Sequence, residues 1–138
     1  MEIPLKFAWA SLIYLLIGGT VGFIVLIDRT MVLGLERYSL TFSHVHILLI
    51  GFVSMMIFGV GYHLLPVFAG TELHSLHLAE LQFWIQNIGL VGLALTYAYR
   101  FAGSGYQMGA LMFGAVSLIG FYLFVYNVGR SLIPPKEA

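Results

Sequence analysis

Ser43-His44-Val45-His46-Ile47-Leu48-Leu49-Ile50-Gly51-Phe52-Val53-Ser54-Met55-Met56-Ile57-Phe58-Gly59-Val60-Gly61-Tyr62-His63-Leu64-Leu65-Pro66 decides the fold. The stretch is long enough to cross a bilayer, which takes about 20 apolar residues, yet it carries histidines at both ends. A histidine within or at the edge of a span costs free energy unless it has a partner. Neutral imidazole is also the commonest metal ligand. What these histidines hold is therefore the functional question.

Composition agrees with a membrane location. Of 138 residues 60% are hydrophobic and 9% charged, against roughly 25% charged in ordinary soluble domains. A soluble domain of this size buries only about two-thirds of its area and could not hide so much apolar surface. The formal net charge is zero, which leaves nucleic-acid binding without an electrostatic basis. The absence of cysteine excludes thiolate metal sites, iron–sulfur clusters, covalent c-type heme and disulfides. A heme in this chain would be held non-covalently, by His or Met.

Four apolar runs, at about 5–27, 44–67, 77–99 and 106–128, each approach the roughly 20 residues of a spanning helix. Backbone polar groups must be satisfied within lipid, so the runs predict an all-α integral membrane four-helix bundle in one transmembrane domain, residues 1–138. Pro4 suits a helix start. Asp28-Arg29 is expected to end the first span, and Ser43 to cap the second, with Pro66 near its end. Thr71-Glu72 is a start for the third, and Arg100 its end. Gly103-Ser104-Gly105 makes a tight turn, and residues 28–43 form a loop or short interfacial helix. The run after Lys6 lacks a small-residue cleavage site and is read as a retained helix. Basic residues divide equally between the two faces, so charge alone does not orient the bundle.

Glycines punctuate the spans. Gly18 and Gly22 form Gly-x-x-x-Gly, and Ala110 and Gly114 a similar small pair; such residues let helices approach. Some could instead leave room for a flat macrocycle. Gly51, seven residues after His44, shares its helix face.

Five histidines fall at two levels. His44 and His63 are separated by roughly 28 Å along a helix, so the two groups belong to opposite faces of the membrane. His44 and His46 point to roughly opposite sides and cannot face one iron. Either serves as an axial ligand or as an interfacial polar anchor. A second ligand at this level has three sources: the same histidine of another copy, a sulfur from Met31 or Met108, or none, leaving an open position for a gas. At the other level, His74 and His77 share a face, with Glu80 one turn on. Together with His63 they could hold copper or zinc, or simply form a wet loop and helix start. Ser54, Gln86, Asn87, Thr96, Ser117 and Asn127 are expected to make interhelical hydrogen bonds. No acidic residue lies in mid-span, so an ion pump lacks its usual relay.

His44-Val45-His46-Ile47-Leu48-Leu49-Ile50-Gly51-Phe52 with Gly59-Val60-Gly61-Tyr62-His63-Leu64-Leu65-Pro66 resembles the second transmembrane helix of the heme–copper oxidase subunit I superfamily. Its nitric oxide reductase and cytochrome oxidase branch is the most similar. Leu81-Gln82-Phe83-Trp84-Ile85-Gln86-Asn87-Ile88-Gly89, in the third span, is also similar to that group. The resemblance covers about half the chain, and four spans correspond to the N-terminal third of such a subunit. It implies that His44 or His46, with His44 preferred, is an axial ligand of a low-spin heme, and that the N-terminus is cytoplasmic. The family's partner ligand and its heme–copper active site lie on later helices, which this chain lacks.

The expectation is a heme b protein of the prokaryotic inner membrane, in electron transfer or in redox or gas (NO, O2, CO) sensing. Its iron site is completed by oligomerisation, as a homodimer. Rival readings are a copper- or zinc-handling membrane protein and a non-catalytic structural subunit of a respiratory complex. Oxidoreductase activity would need a partner chain.

Overall fold

Pro4 lies in the first turn of the first helix, where its missing N–H leaves no bond unmade. The computed structural model describes residues 2–35 and 38–133. Four long helices follow in order: α1 (Ile3–Met31), α2 (Leu40–Ala69), α3 (Leu76–Ala98) and α4 (Ser104–Ser131). Each is long and apolar enough to cross a membrane. Among the described residues there is no strand, as the all-α expectation requires.

Helix ends depart from the sequence expectation. α1 runs through Asp28-Arg29 to Met31, and α2 already begins at Leu40. Ser43 therefore lies inside α2, and its buried hydroxyl donates to the Ala94 carbonyl of α3 at 2.7 Å. Ser39 takes the cap position without a side-chain bond; its N–H donates to the Ala98 carbonyl. Thr71 likewise caps nothing, and its hydroxyl donates to the Ser131 carbonyl. Ser75 caps α3 instead, accepting the Leu78 N–H at 3.2 Å. Asn127 of α4 fixes that choice: it accepts the Ser75 N–H at 3.0 Å and donates to the Ser75 carbonyl at 2.8 Å. A short 3₁₀ turn, Arg100–Ala102, follows α3 before Gly103.

The middle of α2 is not α-helical. Ile47–Ser54 forms a π-helical segment, and the Ser54 hydroxyl donates to the Leu49 carbonyl five residues back. Such wide turns are rare and gather at functional sites. This one starts immediately after His46.

Small residues set the helix contacts. A Cβ at Gly59 would lie 2.8 Å from the Pro4 carbonyl oxygen, and one at Gly89 would lie 2.5 Å from the Ser117 nitrogen. These distances bring α1 against α2 and α3 against α4, the packing expected of small residues in membranes. At the end holding the α1 N-terminus, Phe7, Phe58, Tyr62 and Phe124 build an aromatic core. Phe7 and Phe58 meet edge to face at 6.0 Å, and Phe58 and Phe124 lie at 4.5 Å. Outward faces carry large apolar groups such as Leu16, Leu111 and Tyr122, as lipid contact demands.

Candidate functional site

His44 and His46 stand in the second turn of α2, at the end of the bundle opposite the aromatic core. They diverge as their two-residue spacing predicts. Half-buried His44 reaches α1, where its Nδ1 meets the Gly18 carbonyl oxygen at 2.8 Å. A carbonyl only accepts, so Nδ1 is the donor here and Nε2 is the ring nitrogen turned toward a ligand's side of the ring. Metal-binding histidines are commonly held this way. Gly22, one turn beyond Gly18, makes room for the ring: a Cβ there would lie 2.3 Å from His44 Cε1. The Gly18/Gly22 pair thus seats an imidazole as well as a helix, which the sequence spacing alone does not reveal.

His46 turns to α3. Its Nδ1 donates to the Phe42 carbonyl of its own helix at 3.0 Å. The ring stacks on Phe42 at 3.8 Å, and Phe42 stacks on Tyr97. Arg100 closes the column, its guanidinium 4.5 Å from the Tyr97 ring centre. Phe42, Tyr97 and Arg100 gave no sign of this column in sequence, because it joins α2 to the end of α3.

Gly51 faces α1 and α3. A Cβ there would meet Tyr14 at 2.6 Å and Leu90 at 2.8 Å, so those side chains fill the space beside it. The Tyr14 hydroxyl donates to Asn87 Oδ1 at 2.7 Å. Met31 at the end of α1 and Met108 in α4 are 72% and 59% exposed, on the outer surface at the same end of the bundle as His44. The donor chemistry of His44 and His46 fits a heme iron, one imidazole at a time.

The structure does not assemble the second histidine group. His63, His74 and His77 are exposed. The His74 ring meets Tyr126 edge to face, and the His74 backbone N–H donates to the Ser131 hydroxyl. Glu80 is taken by other partners: Lys6 Nζ contacts both its oxygens at 2.7 Å, and the Trp84 indole N–H donates to it at 3.1 Å. Among the described residues, no three His, Asp or Glu side chains gather as a metal site. The copper or zinc expectation at these residues therefore has no assembled ligand set among the described residues.

Of the span polar groups, Gln86 bonds Ser117 across α3 and α4 at 2.7 Å, while Thr96 and Ser54 bond carbonyls of their own helices. Fully buried Gln82 escaped the sequence reading. Neither its amide nitrogen nor its oxygen has a partner among the described residues.

No protein-family model matches the chain, and no solved structure matches it. It is similar to the Cbb3-type cytochrome c oxidase subunit CcoN1 of Stutzerimonas stutzeri, with 29% identity over 124 residues, covering 71% of this chain and 26% of the relative. The chain thus spans about a quarter of that relative's length. This similarity supports a distant relationship to the heme–copper oxidase subunit I superfamily, and the described residues hold four apolar helices of membrane-spanning length.

Proposed function

We propose that this chain binds heme b through His44 and serves one-electron transfer, with the site completed by a second copy of the chain. The observation that carries the reading is the bond from His44 Nδ1 to the Gly18 carbonyl, 2.8 Å long and joining residues 26 apart in sequence. It holds the ring in the tautomer an axial ligand needs, and it ties that ring to a second helix. Similarity to CcoN1 gives this geometry a redox context. A bound heme would supply a one-electron iron couple. The chain's own residues orient the imidazole, fix its proton on Nδ1 and enclose it against Gly22. His46 offers the same tautomer but is stacked on Phe42, and we assign it to the column with Tyr97 rather than to iron. A two-histidine iron has no open position, which favours electron transfer over gas binding. In this reading the N-terminus is cytoplasmic and the site lies near the opposite membrane face.

Visible spectra of the purified chain test the proposal, recorded oxidised, reduced, and reduced with carbon monoxide. The expected result is a Soret band with sharp α and β bands on reduction, unmoved by carbon monoxide. His44→Ala should abolish these bands and His46→Ala should retain them. A carbon monoxide shift in the wild type would turn the role toward gas sensing. Retention of heme by His44→Ala would remove His44 as ligand.

A further inference from the structure

Two cavities adjoin at the His44 end of the bundle. One, of about 780 Å³, lies among the ends of α1, α2 and α3 and includes Asp28, Arg29 and Thr41 in its wall. The other, of about 520 Å³, runs between α3 and α4 past Leu93, Ala110 and Leu111. They share Phe42, Tyr97, Arg100 and Phe101. The pair therefore steps from a charged mouth to an apolar channel within one site.

Arg100 stands at the step. Its guanidinium lies 4.5 Å from the ring centres of both Tyr97 and Phe101, and one terminal nitrogen donates to the Tyr97 hydroxyl. Its Nε is buried and has no partner among the described residues. Arg29 makes one long bond, 3.4 Å, to the Thr41 hydroxyl. Asp28 is the acidic group among the described lining residues, and its carboxylate accepts the Leu35 N–H at 3.0 Å. Among the described lining residues, two guanidinium groups thus accompany one carboxylate, itself engaged by backbone. Guanidinium is the side chain best suited to phosphate, and the neighbouring aromatic rings belong to the interfacial level of a membrane protein.

We infer that the two cavities form one site for an anionic phospholipid. Arg29 and Arg100 take the headgroup phosphate, and an acyl chain lies along Leu93, Ala110 and Leu111. Neither His44 nor His46 lines either cavity, so the site is independent of the heme proposal. A free phosphate shares the headgroup chemistry but leaves the apolar channel unused.

The test uses the full chain in a neutral detergent, with thermal unfolding and lipid retention in native mass spectrometry as readouts. Phosphatidylglycerol should raise Tm by on the order of 5 °C at saturation and remain bound as one adduct per chain. Phosphatidylcholine and inorganic phosphate should do neither. Arg100→Gln should weaken phosphatidylglycerol binding about tenfold, the worth of one charge-assisted contact. Should Arg100→Gln fail to fold, exposed Arg29→Gln carries the same expectation, and Ala110→Trp should weaken binding by filling the channel. Equal protection by phosphatidylcholine would overturn the charge assignment. Equal protection by inorganic phosphate would reduce the site to a plain anion site and overturn the lipid. Unchanged binding in Arg29→Gln and Ala110→Trp would overturn the location.

Discussion

Gly22 controls where the His44 ring can lie, because a Cβ at that position would come within 2.3 Å of the imidazole. Gly22→Leu is therefore expected to cost about 1–3 kcal/mol through overpacking, and to lower heme content although His44 is untouched. Soret absorbance per chain, beside unfolding in denaturing detergent, measures both effects. Full heme loading in Gly22→Leu would separate Gly22 from the site. The His-x-His pair and its divergence could be read from sequence, since consecutive helical side chains turn by a fixed angle. Which ring meets α1 could not, because that depends on how α1 and α2 pack. The same limit applied to Gly51, whose shared face with His44 was legible but whose neighbours Tyr14 and Leu90 were not. The Glu80 carboxylate looked like a ligand beside His77 until Lys6, 74 residues away, claimed both its oxygens.

At the scale of elements, the spans followed from hydropathy and their ends did not. Capping residue types occur at Thr71 and Ser75 alike, and the cap of α3 fell to Ser75 because Asn127 of α4 clamps its backbone. Asn127→Leu should leave the Ser75 N–H and carbonyl without partners and destabilise the bundle by about 1–3 kcal/mol. Unfolding in denaturing detergent reads that loss. Helix contact gives a sharper contrast. Gly89→Ala places a Cβ 2.5 Å from the Ser117 backbone, whereas Gly129 has nothing within 4 Å. The first substitution should cost about 1–3 kcal/mol, and the second should stay within about 0.5 kcal/mol. Equal effects would mean that α3 and α4 do not meet at Gly89. Val32 ends α1 at a φ of 55°, a conformation that suits glycine and strains a β-branched residue. Val32→Gly is accordingly expected to stabilise by about 1 kcal/mol, seen as a higher Tm. The π-helical segment after His46 had no signature in its Ile-Leu-Leu-Ile-Gly-Phe-Val-Ser sequence, which satisfies a regular helix equally well.

On the scale of the whole molecule, an aromatic core fills one end of the bundle, while the other carries His44, the Phe42–Tyr97 column and two cavities. In the proposed reading each copy offers iron one imidazole, that of His44, held against α1 by the Gly18 carbonyl. A second copy then completes the site proposed above. Heme content per chain, measured by pyridine hemochrome on detergent-solubilised protein of known mass, tests that claim most directly. A dimer with one heme for every two chains, lost in His44→Ala, is the result expected. A monomer with one heme per chain, or a chain that takes up no heme on reconstitution, would contradict it.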